Sequence, residues 1–252
     1  MAKPYKLLAI GNSFSRDATV FLHDAAASVG IDLTVVNLFI GGCSLERHVE
    51  NLRSNDTVYL VEVNGVPTDK YAALTAVVES TDWDYIFTQQ SSHDSGWQDT
   101  YEPFAGILLD YLASAAPKSK KYIMQTWAYA TDSTHPAFPR YNRDATEMYN
   151  RSRAAYRAVA KRYALPLAPC GDVIEALRKT DEFNLSKGGM SICRDGFHMH
   201  LVYGRYLLAA VWVKTLFGKD LPDSFIPVNL AAPPADPKLL KLIRKTVSEC
   251  LG

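Results

Sequence analysis

The sequence predicts an α/β fold, a parallel, doubly wound sheet with helices on both faces. Three observations predict it. Short apolar runs closed by glycines or polar loops alternate with segments of helical periodicity along most of the chain. Several of these runs are apolar at successive positions, as strands covered on both faces must be. The composition, 48% hydrophobic and 21% charged over 252 residues, is that of a globular chain able to bury its own core as one domain spanning 1–252.

Residues 7–10 form the first apolar run and Gly11 ends it. A helix is expected from Arg16 to Gly30, carrying Val20, Leu22 and the alanines 25–27. The second strand is 33–40, stopped by Gly41-Gly42, and a short exposed helix follows from Ser44. Residues 57–63 alternate and Asn64-Gly65 signals a hairpin, so 57–67 reads as a small β-hairpin excursion beside the main sheet. Helices at 71–78 and 104–115 then alternate with strands at 85–88 and 122–126. After an irregular stretch at 128–140 come a long helix through Met148, Tyr156, Val159 and Tyr163, a strand at 165–168 and an apolar helix at 200–217. Proline-rich punctuation at 231–237 introduces a last helix.

Composition removes several functions. Lys+Arg and Asp+Glu are both 27, so no global basic field draws nucleic acid or anionic lipid. Cys43, Cys170, Cys193 and Cys250 form no Cys-x-x-Cys pair; they read as reduced, mostly buried thiols rather than a zinc site or a disulfide framework. No apolar run reaches the roughly 18 residues of a membrane helix. The start, Met-Ala-Lys-Pro-Tyr-Lys and then 7–10, is too short for a secretory apolar region, and a cytoplasmic protein is expected.

In open parallel sheets, ligands bind at the carboxyl ends of the strands. The loops there carry chemistry. Ser13 follows the first strand, where a helix N-terminus favours developing negative charge. Its plainer reading is that Asn12 or Ser13 merely caps the helix. Asp195 and His198 precede the 200–217 helix, and three residues of separation in a turn let a carboxylate orient an imidazole. The plainer reading is a surface turn at Asp195-Gly196, with His200 as rival base. A metal held by Cys193, Asp195, His198 and His200 lacks recognised spacing. Cys43 as nucleophile lacks a histidine assigned to it. Oxyanion donors are available from the amides of Ser13 and Gly42 and from Gln90, although Gly41-Gly42 can equally be a plain strand-ending turn.

These residues resemble the SGNH, or GDSL-type, hydrolases. Gly11-Asn12-Ser13-Phe14 looks like the first block of that superfamily, Asn37 with Gly42 like the second, and Asp195-x-x-His198 like the last. The likeness spans residues 5 to about 215. It implies a flavodoxin-like three-layer α/β/α sandwich with a five-stranded parallel sheet. It also implies ester hydrolysis through an acyl-serine, with Ser13 as nucleophile, His198 as base and Asp195 as its orienter, and with no metal or organic cofactor. The third block departs: a gapless match sets Ser91 and His93 where the family has Gly and Asn. Gln90, resembling a glutamine used by some carbohydrate esterases, is the favoured donor and His93 the alternative. Trp97, Trp127 and Tyr129 are expected to face a substrate, and a short acyl group, acetyl foremost, on a carbohydrate is the expected ester. The competing view of Trp127 is a ring packed under its loop. Two other activities compete: a glycan-binding protein on the same fold that has lost catalysis, and an acyltransferase using the same triad.

Overall fold

β1 (Tyr5–Gly11) is the central strand, and its last five residues are buried. The computed structural model describes residues 3–252, so Met1 and Ala2 of the N-terminal stretch lie outside the described residues. β1 pairs in parallel with β2 (Leu33–Phe39) on one side and β5 (Tyr85–Thr88) on the other, with Ala9 opposite both Asn37 and Phe87. β6 (Lys120–Met124) and β7 (Leu167–Ala168) continue the parallel run beyond β5. The expected five parallel strands are therefore present, in the order β2-β1-β5-β6-β7.

Side-chain alternation along β1 divides the core. Leu7 and Ala9 pack with α1 (Ser13–Thr19), α2 (Leu22–Ser28), α7 (Cys170–Leu177), α8 (Tyr203–Phe217) and α9 (Pro237–Leu251). Leu8 and Ile10 pack with α3 (Leu45–Ser54), α4 (Leu74–Val78), α5 (Phe104–Ala115) and α6 (Ala145–Arg162). Successive residues of a strand point to opposite faces, so one apolar run feeds two cores and the three layers follow. Among the described residues no helix is long and apolar enough to cross a membrane.

The hairpin corrects one expectation. β3 (Tyr59–Val63) and β4 (Val66–Ala72) do not stand beside the sheet but extend it to seven strands, with β3 antiparallel to β2 and Glu62 opposite Asn37. An uncovered β2 edge would leave a row of unpaired N–H and C=O groups. Asn64 (φ 50°) and Gly65 (φ 79°) both take the left-handed conformation a two-residue hairpin turn needs. Because β4 runs to Ala72, the helix expected at 71–78 shrinks to α4. The helix expected from Arg16 to Gly30 breaks at Val20-Phe21, where the Gly65 turn lies against the Val20 backbone.

The chain moves from β1 to β2 on one side and then to β5 on the other. The loops after β1 and β5 thus flank the point where strand order reverses, which is where a crevice opens.

Candidate active site

Asn12 is the cap of α1. Its Oδ1 accepts from the Phe14 amide at 3.0 Å and its Nδ2 donates to the Cys43 carbonyl at 2.9 Å. The capping role therefore falls to Asn12, and half-buried Ser13 takes the first helical position. Amides of the first helical turn have no partner within the helix and can face a ligand. Gly11 permits this turn: a Cβ there would sit 2.2 Å from Gln89 Nε2 and 2.5 Å from Ser15 Oγ. Below it, Ser15 Oγ donates to Asn37 Oδ1 at 2.8 Å, and Asn37 Nδ2 donates to Glu62 Oε2 at 2.7 Å. Asn37 is thus a prop under the turn that carries Ser13.

Asp195 and His198 meet. His198 Nδ1 lies 2.7 Å from Asp195 Oδ2, while Asp195 Oδ1 accepts from the amides of His198 at 2.8 Å and Phe197 at 3.2 Å. Burial alone would raise the Asp195 carboxyl, but the His198 ring and the two amides outweigh it and hold it below the ordinary carboxylate range. The His198 ring lies edge-on to Phe14, the residue after Ser13, with centroids 6.1 Å apart. His200 serves elsewhere: its Nδ1 accepts from the amides of Val202 (3.2 Å) and Tyr203 (3.3 Å) at the start of α8. Among the described residues no group of three or more His, Cys, Asp or Glu side chains is arranged to hold a metal, and Cys193 instead contacts Arg178. Burial pushes the Cys43 thiol up to about 12.

Gly42 (φ 62°) is exposed in the turn closed by the Cys43 amide on the Ile40 carbonyl at 3.3 Å. The Asn12–Cys43 bond ties this turn to the cap beside Ser13.

Gln90 does not offer the free amide expected of it. It is buried, its Nε2 donates to Thr100 O (3.0 Å) and Oγ1 (3.1 Å), and its Oε1 accepts from the amides of Leu45 (2.9 Å) and Ser91 (2.8 Å). All its capacity is spent joining three loops. His93 is half-buried, with Nε2 within 3.3 Å of Ser91 Oγ and 3.2 Å of Asp94 Oδ2.

The expected aromatic platforms are also corrected. Trp127 is fully buried, stacked on Phe14 at 4.1 Å, and its Nε1 donates to the Phe197 carbonyl at 2.7 Å. Tyr129 is fully buried too, its hydroxyl between Ser92 Oγ (3.0 Å) and His135 Nε2 (3.4 Å). Trp97 keeps some exposure, but the guanidiniums of Arg140 and Arg151 lie 5.1 and 4.9 Å from its ring. The rings that remain partly open near His198 are Phe197 and His135, centroids 4.7 Å apart. No local pattern marks Phe14 or Phe197 for this place; only their neighbours in the blocks do. A cavity of about 240 Å³ lies away from Ser13, between Ala130, Glu175, Arg178, Phe183 and Leu185.

A family model, the domain of unknown function DUF4886, matches residues 6–236. The chain belongs to the DUF4886 family. It is similar to the crystal structure of a DUF4886 family protein from Bacteroides uniformis, at 31% identity and a TM-score of 0.88 over 98% of this chain and 95% of that one. No curated protein matches it in sequence. More distant is an SGNH hydrolase candidate from Slackia heliotrinireducens (21% identity, TM-score 0.57, 85% of this chain and 100% of that one). An acetylxylan esterase from Geobacillus stearothermophilus stands at 12% identity and TM-score 0.57, over 86% of this chain and 96% of that one. At such identities the likeness is one of fold, and this DUF4886 chain has the three-layer fold of the SGNH hydrolases.

Proposed function

We propose that this DUF4886 protein is a serine esterase that hydrolyses short acyl esters through an acyl-serine intermediate. The observation that carries the reading is the Asp195–His198 pair at 2.7 Å, edge-on to the ring that follows Ser13. In this mechanism Ser13 Oγ attacks the ester carbonyl while His198 Nε2 takes its proton. Asp195 fixes the Nδ1–H tautomer and stabilises the imidazolium that forms. The tetrahedral oxyanion is met by the Ser13 and Gly42 amides. With the Gln90 amide committed to Thr100, His93 is the third donor, which requires a proton on the ring nitrogen that faces the oxyanion. His198 then protonates the leaving alcohol and activates the water that releases the acid.

A short acyl group, acetyl foremost, suits the site because Phe14, Trp127 and Tyr129 are packed on their neighbours instead of lining a channel. A carbohydrate alcohol remains the favoured leaving group; the acetylxylan esterase among the fold neighbours supports that choice, and Phe197 with His135 replaces the buried aromatics as its contact surface.

Hydrolysis of p-nitrophenyl acetate and acetylated xylan fragments tests the reading, with labelling by a fluorophosphonate. Ser13→Ala and His198→Ala should each lose roughly 10³-fold or more in kcat, and the label should map to Ser13. Full activity in Ser13→Ala removes the serine from the mechanism.

A further inference from the structure

Asp17 lies one helical turn beyond Ser13 on α1 and is fully buried. Every bond its carboxylate makes leads to the segment that carries His198. Oδ1 accepts from Arg205 Nε at 2.8 Å, and both oxygens lie 3.1 Å from Arg194 Nη1. Oδ2 also accepts from the amide of Met199, the residue next to His198, at 2.8 Å. Arg194 reaches around the same loop: its amide donates to the His198 carbonyl at 2.9 Å and its Nη1 donates to the Met199 carbonyl. A bridge between Cys193 and Met199 closes the base of the loop.

A carboxylate with no access to water needs strong partners, and here it has two guanidiniums and an amide. It sits where the chain's first site element meets its last, across 182 positions for the Met199 bond. Among the described residues, every hydrogen-bond partner of the Asp17 carboxylate lies in the 194–205 segment.

We propose that Asp17 is the positioning residue that sets the Ser13–His198 approach, clamping the loop of the base to the helix of the nucleophile. The inference rests on Ser13 and His198 being the reacting pair. Asp17 touches no reacting atom. It acts through Met199 and Arg194, which hold the loop on either side of the Asp195–His198 turn.

The test compares wild type, Asp17→Asn and Arg205→Gln. Asn keeps an acceptor for Met199 but loses the charge that holds both arginines; Arg205→Gln removes one partner only and serves if Asp17→Asn does not fold. In the folded variant, amide exchange at Met199 should rise about tenfold while β1 and β5 amides stay protected. The kcat on p-nitrophenyl acetate should fall roughly 10²-fold, as a displacement near 1 Å produces, with KM little changed. A wild type that turns over and labels at Ser13, with kcat unaffected in both variants, overturns the clamp alone. Unchanged exchange at Met199 overturns it as well. A wild type inactive on every ester and unlabelled at Ser13 overturns the reading of the site, and the clamp with it.

Discussion

His93 and Gln90 sit three residues apart in one loop, and the proposed mechanism gives them different roles. Gln90 spends its amide on Leu45, Ser91 and Thr100, so Gln90→Ala orphans several buried groups at about 1–3 kcal/mol each. A clear fall in thermal midpoint is expected. His93→Ala should leave the midpoint nearly unmoved and lower kcat roughly 10²–10³-fold. The opposite pattern in the two variants would return the donor role to Gln90. Asp94, the next residue, makes a pH argument. Burial alone would raise its carboxyl, yet the bonds to His93 and Arg140 hold it down at about 2. An unfolded Asp titrates near 3.9, so the stabilisation is complete above about pH 4 and is lost as pH falls towards 2. The gap in thermal midpoint between wild type and Asp94→Asn should therefore narrow from pH 5 to pH 2. A gap that stays constant would show that the charge contributes nothing.

At the scale of elements, the start of α1 and the turn after β2 are one unit. Asn12 caps the helix with its oxygen and holds the Cys43 carbonyl with its nitrogen. Asn12→Ala should cost about 1 kcal/mol for the cap, and more for the severed tie. Asn12→Asp keeps the cap and loses the tie, so it should fall between wild type and alanine in urea midpoint. If Asp and Ala variants unfold together, the tie and not the cap holds the unit. Gly42 adds a backbone constraint: at φ 62° an alanine meets no atom within 4 Å, so Gly42→Ala carries only the left-handed strain of about 1–2 kcal/mol.

For the molecule as a whole, α8 is the keystone of one face. It is apolar on nearly every side because the sheet, α1, α2, α7 and α9 surround it. Its Trp212 stacks on Phe87 of β5 at 4.3 Å and meets the edge of Tyr122 on β6 at 5.9 Å. Trp212→Ala should destabilise by about 3–5 kcal/mol, read as a lower urea midpoint with an unchanged slope. A loss under 1 kcal/mol would mean that α8 is held by its other contacts. The same helix begins just after the clamped loop, through Arg205 on Asp17, so core packing and site geometry share an anchor.

Local pattern is enough to specify the strand–helix alternation, the five parallel strands and the loops that bear Ser13, Gly42, Asp195 and His198. Those features rest on local causes: apolar runs, glycine stops and residue spacing within one turn. Asp195 with His198 was legible because three residues separate them. The rest depends on contacts between distant segments. Whether Trp127 and Tyr129 face solvent depends on what Phe14, Phe197 and Met148 pack against. Whether the Gln90 amide is free depends on where Thr100 and Leu45 arrive. The hairpin joined the sheet because the edge of β2 needed a partner, and pairing of that kind leaves no mark in a hairpin's own pattern. The bonds of Asp17 to Arg194, Met199 and Arg205 join opposite ends of the chain, and such distant partners exist only once the sheet has brought those ends together.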